Sequence, residues 1–201
     1  MSQDSECVMA PDNGQFSTIA LIGMGSNVAS QAGPPGETLQ AAAKALCADS
    51  VHVLSISRLF KTPCFPMGAG PDYVNAVAVI STALSAEAVL AWLHHLEAAF
   101  GRQRLQRWGN RTLDLDLLAY GDLVWPDMGS YQSWYRLDQE EQKLRAPDQM
   151  ILPHPRIQDR AFVLVPLLDV APLWRHPVLG LTVGDMLLLL PPAEVGAVVP
   201  Q

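Results

Sequence analysis

The pattern of apolar and polar positions predicts four elements in the first 80 residues of the chain. Residues 17–25 form an apolar run that ends in glycine, which predicts a buried strand followed by a tight turn. Residues 39–47 are alanine-rich with apolar residues at helical spacing, after a Gly-Pro-Pro-Gly turn that delays the start of this predicted helix. Residues 51–60 alternate apolar and polar side chains, and residues 75–80 are a second β-rich run, so both segments predict strands.

A second helix and a further strand follow. Ser85 can cap a helix whose apolar stripe ends before Gly101, and the stripe consists of Val89, Leu93, Leu96 and Phe100. Residues 112–120 alternate leucine with aspartate, which is typical of a strand. The order β-α-β-β-α-β predicts an α+β fold of the ferredoxin-like, split βαβ type. In this fold an antiparallel sheet carries helices on one face, and the remaining residues form C-terminal decorations.

The rest of the chain predicts one domain with a short leader. Residues 1–16 are polar and carry no basic residue, so they resemble neither a secretory signal nor a transit peptide and are interpreted as a flexible leader. Residues 17–201 are then a single domain. Residues 122–149 are polar and rich in turn-forming residues, which predicts a surface insertion, and residues 182–190 predict a short terminal helix.

Composition narrows the class of protein. The 201 residues are 49% hydrophobic and 16% charged, which excludes a disordered chain. The longest apolar runs are far shorter than the roughly 20 residues that cross a bilayer, so no membrane association is expected. The three cysteines form no CxxC pair, which suggests neither a disulfide framework nor structural zinc. These features together predict a cytoplasmic protein.

Charge is unevenly distributed along the chain. The formal net charge is -7, yet residues 101–111 contain Arg102, Arg104, Arg107 and Arg111 and no acidic residue. An acidic total argues against general binding of nucleic acid, which needs a broad basic face. A local cluster of arginines instead suits one small, highly charged anion.

Asp114 and Asp116 are the clearest candidates for chemistry. Residues i and i+2 of a strand project from the same face, so both carboxylates can converge on one or two hard cations, as in phosphoryl-transfer sites. A strand with this alternation can also simply present its polar side to water. The arginines that immediately precede the pair favour a site for metal and polyphosphate, because guanidinium groups pair well with phosphate oxygens.

Several residues are candidates for a planar ligand, but their types alone leave a packing role open. Trp108 lies in the arginine-rich loop, where it could close over a planar substrate or simply pack. Tyr73, Asn75 and Phe162 could form a heterocycle pocket or belong to the core. His154 lies between two prolines and, taken alone, is interpreted as a structural or surface residue. The glycines at 23–27 match neither GxGxxG nor a P-loop.

Five segments in this order resemble the 6-hydroxymethyl-7,8-dihydropterin pyrophosphokinase family of folate biosynthesis. The segments are GMGSN at 23–27, YVNAV at 73–77, LEAAFGR at 96–102, RWGNRTLDLDLL at 107–118 and PHPRIQDRAFVLVPLLDVAP at 153–172. The resemblance runs from about residue 17 to residue 190. It implies a monomer that transfers pyrophosphate from MgATP to the hydroxyl of 6-hydroxymethyl-7,8-dihydropterin and releases AMP.

The resemblance also implies roles for individual residues. Asp114 and Asp116 would hold two magnesium ions, and Asp116 is a possible acceptor of the hydroxyl proton. Arg102 and Arg111 would act on the phosphates during transfer. The ATP-binding residues would be Glu97, Arg104, Arg107, Arg111, Leu117, His154 and Arg160. The pterin-binding residues would be Thr62, Pro63, Phe65, Tyr73, Asn75, Trp108 and Phe162.

The chain departs from the family at three places. Asn110 stands where the family usually has proline, residues 122–149 are longer than the usual link, and Gln149 and Ile151 stand near positions of nucleotide contacts. Two other functions therefore stay open at this point. One is another magnesium-dependent phosphotransferase or nucleotidyltransferase, and the other is a ferredoxin-like binding module.

Overall fold

An antiparallel sheet forms the centre of the molecule, as seen in a computed structural model that describes residues 17–64, 70–102, 111–138, 141 and 145–201. Its strands are β1 (Thr18–Ser26), β2 (Val51–Ile56), β3 (Phe60–Thr62), β4 (Tyr73–Thr82), β5 (Asp114–Tyr120) and β6 (Val199–Pro200). The order across the sheet is β5-β1-β4-β3-β6, and β2 also pairs with β4. The strands β5-β1-β4-β2 have the ferredoxin-like order, so the predicted fold class is confirmed.

The predicted strand 51–60 is divided into β2 and β3. Both pair with β4, β2 with its second half and β3 with its beginning. Between them, Ser57 bonds to Val77 twice, because its N–H donates to the Val77 carbonyl at 2.9 Å and its Oγ accepts from the Val77 N–H at 2.9 Å. The Ser57 hydroxyl thus replaces a backbone carbonyl as the acceptor for the Val77 N–H between β2 and β3. The alternation of apolar and polar side chains along residues 51–60 does not reveal this break in the strand.

Helices α1 (Pro35–Ala45) and α2 (Ala86–Ala99) cover one face of the sheet. Leu39 and Leu93 belong to the core on this face, together with Ile22 and Leu115. Helix α1 begins at Pro35, so the expectation of a later start is wrong. Proline is accommodated there because the first helical N–H needs no partner. Ser85 caps α2 as predicted, since its Oγ accepts a hydrogen bond from the Ala88 N–H.

The C-terminal part of the chain covers the opposite face. A 3₁₀ turn (Ile157–Asp159) leads into α4 (Ala161–Val170), and α5 (Val183–Leu188) packs beside it. Leu164 and Leu167 of α4 pack against Leu21 and Leu118 of the sheet. The terminal helix expected at 182–190 is α5, and α6 (Pro192–Gly196) and β6 follow it. The C-terminal segment is therefore a full second layer.

Residues 122–149 contain a helix that is attached to the body of the protein. This helix, α3 (Met128–Tyr135), begins after Asp127, whose carboxylate accepts from the Ser130 N–H at 2.9 Å. Tyr131 is 0% exposed, and its hydroxyl lies 3.2 Å from Nε2 of the equally buried His176. The segment predicted as a surface insertion therefore places one aromatic ring in the interior.

Two further observations concern the cysteines and the length of the helices. Cys47 takes part in a disulfide bond, which corrects the expectation that the cysteines form none, and Cys64 is buried. None of the helices in the described ranges has the length and apolar character that a bilayer crossing requires.

Candidate active site

The two aspartates lie on strand β5 and face the C-terminal layer. Asp114 is paired with Gly25 of β1, and Asp116 is paired with Gly23. Leu115 points the other way, into the core beneath α2. Successive residues of a strand alternate between faces, so both carboxylates project from the α4 side of the sheet. The sequence prediction that they share a face is thus consistent with the register.

Asp114 is paired with two arginines. Its Oδ1 lies 2.6 Å from Nη1 of Arg102, and its Oδ2 pairs with Nη1 of Arg111. Burial and the nearby Asp116 carboxylate raise the pKa of Asp114, and the two guanidinium groups oppose that rise. Burial lowers the pKa of Arg111, but Asp114, Tyr73 and Asp116 raise it, and the net effect is a raised pKa. The site therefore combines crowded negative charge with guanidinium groups able to bind other anions.

Glu97 connects helix α2 to this charged cluster. Its side chain is buried, and its Oε1 accepts a hydrogen bond from the Leu115 N–H at 2.8 Å. The same oxygen pairs with Nη1 of Arg102. Glu97 therefore contacts both Arg102 and the strand that carries the aspartates.

The arginine-rich loop is attached at both of its described ends. At the first end the Arg102 N–H donates to the Glu97 carbonyl at 3.0 Å. At the second end Asn27 exchanges two bonds with Arg111: its Oδ1 accepts from the Arg111 N–H at 2.8 Å, and its own N–H donates to the Arg111 carbonyl at 3.1 Å. Asn27 of the GMGSN motif thus has a role that its sequence context did not indicate. The predicted residues Arg104, Arg107 and Trp108 lie outside the described residues.

A buried amide lies on the other side of Gly25 from Asp114. Asn75 Nδ2 donates to Thr62 Oγ1 at 2.8 Å, and Asn75 is paired with Gly25 of β1. A methyl group added at Gly25 would lie 3.1 Å from Asn75 Oδ1 and 3.8 Å from Cβ of Asp114. Gly25 therefore leaves room between an amide and a carboxylate on neighbouring strands.

The aromatic candidates are brought only partly together. Tyr73 is paired with Thr62 and half-buried, and burial raises its pKa. Phe162, at the start of α4, is 41% exposed and lies under the Arg160 guanidinium, with 5.6 Å between Cζ and the ring centre. The predicted residue Phe65 lies outside the described residues.

A cavity of about 830 Å³ collects many of the predicted residues. Eight of them line it: Thr62, Pro63, Arg111, Asp116, Leu117, His154, Arg160 and Phe162. Five others in the described ranges lie outside the lining: Glu97, Arg102, Asp114, Tyr73 and Asn75. Of those five, Arg102 and Asp114 are connected to the lining through Arg111, which pairs with Asp114.

The cavity extends around the edge of the sheet at β5. Phe162 belongs to the α4 side, whereas Leu90 of α2 and Leu117 pack with the core on the opposite side. At this edge the His154 N–H donates to the Leu118 carbonyl at 2.7 Å. Asp116 therefore lies between the part of the cavity next to α4 and the part next to α2.

His154 is held as a neutral hydrogen-bond donor. Its Nδ1 accepts from the Arg156 N–H at 3.1 Å, so the ring proton resides on Nε2. Burial and the neighbouring Arg160 and Arg156 lower the pKa of His154 to about 3. The pKa of Arg160 is lowered by burial, against the opposing effect of Asp116. An imidazole N–H and a guanidinium thus lie in the lining of the same cavity.

The lining also contains residues that were not predicted as site residues, among them Arg156, Asp159, Trp134 and Arg145. Arg156 pairs with Asp159, and its Nε lies 3.2 Å from Asp159 Oδ1. The i, i+3 spacing of Arg156 and Asp159 within PHPRIQD could have indicated that they form an ion pair. Trp134 and Arg145, from the segment read as a surface insertion, also line the cavity. Nothing in their polar sequence context indicated this placement.

The carboxylates fit magnesium in the presence of a phosphate substrate. In the described part of the chain no group of three or more His, Cys, Asp or Glu side chains could hold a metal by itself. Magnesium is commonly bound by one or two carboxylates together with substrate phosphates and water. Asp114 and Asp116 supply this number of carboxylates, and the mutual repulsion that raises the pKa of Asp114 is relieved by a cation.

Comparisons with known proteins point to one family. Residues 21–172 match the family model described as 7,8-dihydro-6-hydroxymethylpterin-pyrophosphokinase. A Synechocystis protein named 2-amino-4-hydroxy-6-hydroxymethyldihydropteridine pyrophosphokinase is 34% identical over 169 residues, which are 84% of this chain and 74% of that protein. A Haemophilus influenzae protein of the same name is 36% identical over 153 residues, covering 76% of this chain and 81% of the relative.

Solved structures share the fold. The wild-type HPPK-DHPS of Plasmodium falciparum, crystallised with SDX-DHP, superposes with a TM-score of 0.57 at 13% identity and covers 84% of this chain. The same protein with pteroate gives a TM-score of 0.59 at 14% identity and covers 85%. This chain spans 43% and 42% of those two chains, less than half of their length.

Proposed function

The chain belongs to the 7,8-dihydro-6-hydroxymethylpterin-pyrophosphokinase family, and we propose that the cavity at the β5 edge is where it carries out the family's reaction. The reaction is transfer of a pyrophosphoryl group from ATP to hydroxymethyldihydropterin in folate biosynthesis. ATP is the co-substrate, and Mg²⁺ is required. The protein is therefore an ATP-dependent pyrophosphokinase whose small-molecule substrates are ATP and the pterin.

One observation supports this location above the others. Asp116, Arg111, His154 and Arg160 line a single cavity, and Asp114 pairs with Arg111 beside it. Carboxylates that hold magnesium and cations that bind phosphate are the two groups that pyrophosphoryl transfer needs in one place. A ferredoxin-like binding module would need neither of them.

The chemistry assigned to these residues is mainly positioning and neutralisation of charge. The pterin hydroxyl oxygen bonds to the β-phosphorus of ATP, the bond from that phosphorus to the α,β-bridging oxygen breaks, and AMP leaves. Arg111 and Arg102 offset the charge that shifts toward the leaving oxygen. Asp116 accepts the hydroxyl proton, and His154 donates its Nε2–H to a phosphate oxygen. Magnesium, when bound by Asp114 and Asp116, supplies Lewis-acid stabilisation of the phosphates, and two ions are proposed.

The pterin is assigned to the α4 side of the cavity. Asn75 can offer both an N–H donor and a carbonyl acceptor, which suits the amide-like edge of a pterin ring. Its bond to Thr62 fixes the orientation of the amide, and Thr62 and Pro63 line the cavity there. Phe162 and Tyr73 are assigned to the faces of the ring, and Phe65 and Trp108 stay predictions for the same substrate.

The nucleotide is assigned to the α2 side. Leu90, Leu117, Met150 and Ile151 give this part of the cavity apolar walls, which suit a purine ring. The phosphates then extend toward Asp116 and Arg160. Arg104 and Arg107 stay predictions for the phosphates. Glu97 is assigned a positioning role through Arg102, which differs from the direct ATP contact expected from the sequence.

The proposal is tested by following the products. Purified protein is incubated with MgATP, with and without 6-hydroxymethyl-7,8-dihydropterin, and AMP and pterin pyrophosphate are quantified. We expect AMP in equal amount to pterin pyrophosphate, and loss of both in an Asp114→Ala, Asp116→Ala double variant. Turnover that persists in a folded double variant would place the chemistry elsewhere.

A monomeric state and a cytoplasmic location are also proposed. Light scattering checks the monomeric state, and cell fractionation checks the location.

A further inference from the structure

Two residues of the 122–149 segment form part of the cavity wall. Trp134, on helix α3, lines the cavity together with Arg145, and the Arg145 guanidinium lies over the indole ring with 5.5 Å between Cζ and the ring centre. The planar guanidinium is the group that stacks most readily on an indole face. The pair therefore presents a flat, positively charged surface.

The position of Trp134 is fixed from the interior. Tyr131 lies three residues earlier on the same helix, is fully buried, and bonds to His176. Tyr131 and Tyr135 also stack, with 6.0 Å between their ring centres. Helix α3 is thus attached to the C-terminal layer, and it offers Trp134 as a fixed platform.

This platform lies on the part of the cavity assigned to the nucleotide. The neighbouring lining residues from the same stretch are Ala146, Pro147, Gln149 and Met150, and Met150 packs with the core beneath α2. A purine has a flat, electron-rich face, and a guanidinium is attracted to such a face when the two lie parallel. The chemistry of the wall therefore matches the base of a purine nucleotide.

We propose that Arg145, held flat by Trp134, stacks on the purine of ATP and that these two residues are thereby part of the nucleotide site. The inference rests on the proposed placement of the nucleotide on the α2 side. It assigns to Trp134 and Arg145 a specificity-determining role for the purine nucleotide, where the composition of residues 122–149 predicted a surface insertion.

The test compares the binding of AMP and of the pterin by calorimetry in the absence of turnover. A single cation–π contact contributes about 1 kcal/mol, which corresponds to about fivefold in affinity. We expect Arg145→Gln and Trp134→Ala each to weaken AMP binding about fivefold and to leave pterin binding within twofold. The double variant should lose little more than either single variant, because the two residues act as a unit. The AMP affinity of Arg145→Lys should fall between those of wild type and Arg145→Gln, since lysine keeps the positive charge but has no planar group that can stack.

Arg136→Gln is the matched control. Arg136 is an exposed arginine that follows α3 and lies outside the cavity lining, so its replacement should leave AMP affinity unchanged. If the wild type binds AMP, and Arg145→Gln and Trp134→Ala both bind it within twofold of wild type, the stacking of Arg145 on the purine is refuted. The placement of the nucleotide on the α2 side would stand. Failure of the folded wild type to bind AMP at all would overturn the nucleotide placement as well. Thermal melting of each variant confirms that it is folded.

Discussion

Gly25 and Asn75 face each other on adjacent strands so closely that a methyl group on the glycine would lie 3.1 Å from the Asn75 amide oxygen. The same methyl group would meet Asp114 at 3.8 Å. A glycine is thus required at this position of the sheet, between the amide proposed to bind the pterin and the carboxylate proposed to bind magnesium.

We predict that Gly25→Ala displaces the Asn75 amide and raises the KM for the pterin more than the KM for ATP. The displacement required is a few tenths of an ångström, so we expect a three- to tenfold change, on the order of 1 kcal/mol. Steady-state kinetics with each substrate varied in turn measures it. Gly184→Ala is the control, because a methyl group at Gly184 meets nothing nearer than Thr182 Oγ1 at 3.9 Å. Equal changes in the two KM values would argue against the assignment of Asn75 to the pterin.

Glu97→Gln separates positioning from direct nucleotide contact. Glutamine keeps an oxygen that can accept from the Leu115 N–H but loses the charge that pairs with Arg102. We predict that kcat falls about tenfold while the dissociation constant for ATP changes less than threefold, since loss of one charge-assisted contact weakens transition-state stabilisation by about 1.4 kcal/mol. Single-turnover kinetics and calorimetry measure the two effects. A variant with intact kcat and much weaker ATP binding would restore the direct contact predicted from the sequence.

Asp116→Asn should abolish most of the activity. The amide cannot accept the hydroxyl proton and is a poor magnesium ligand, so we predict a loss of about 10²- to 10³-fold in kcat, as found for removal of one electrostatic stabiliser. Asp122→Asn removes an exposed carboxylate just beyond β5 and should leave turnover unchanged. Chelation of magnesium should likewise stop AMP formation in wild type, and restored magnesium should recover it. Full turnover by Asp116→Asn with metal bound would refute both roles.

Stability should decrease with acidification because of buried histidines. Burial lowers the pKa of His176 to about 4 and, together with Arg160 and Arg156, lowers that of His154 to about 3. In the unfolded chain both imidazoles titrate near pH 6.5, so below that pH the unfolded state binds more protons and is favoured. For His176 the free energy of unfolding should fall by up to about 3 kcal/mol between pH 6.5 and pH 4 and stay constant above this window.

Urea unfolding at a series of pH values measures this slope. His176→Gln should flatten it, because glutamine does not titrate. Tyr131→Phe should lower stability by about 1 kcal/mol near pH 7, since it removes the hydroxyl that accepts from His176 Nε2–H. An unchanged slope in His176→Gln would mean that other groups dominate acid unfolding.

Much of the fold follows from local pattern in this sequence. The apolar run of β1, the Ser85 cap and the leucine–aspartate alternation of β5 are local signals, and each element formed as predicted. The division between β2 and β3 depends on the Ser57 hydroxyl replacing a backbone acceptor of a distant strand. The second helical layer and the buried Tyr131 depend on contacts with distant residues. Local pattern carries no information about either.

The candidate site divides in the same way. Asp114 and Asp116 are recognisable because a two-residue spacing places them on one face, and the arginines before them supply opposite charge. Gly25, Asn27 and Trp134 could not be identified, because their importance arises from what lies opposite them after folding. Arg156 and Asp159 are an intermediate case, since their i, i+3 spacing is visible but the cavity that they line is not.

The cavity passes from one face of the sheet to the other around the edge of β5. A molecule that follows this path touches α4 at one end and α2 at the other, two layers that otherwise pack on opposite faces of the sheet. Such a molecule would contact both layers at once. Its affinity would exceed that of either fragment, because binding of one fragment holds the other near its site at a high effective concentration. Bisubstrate inhibitors that connect a pterin to a purine should therefore stabilise the whole fold against unfolding, beyond what either fragment achieves alone.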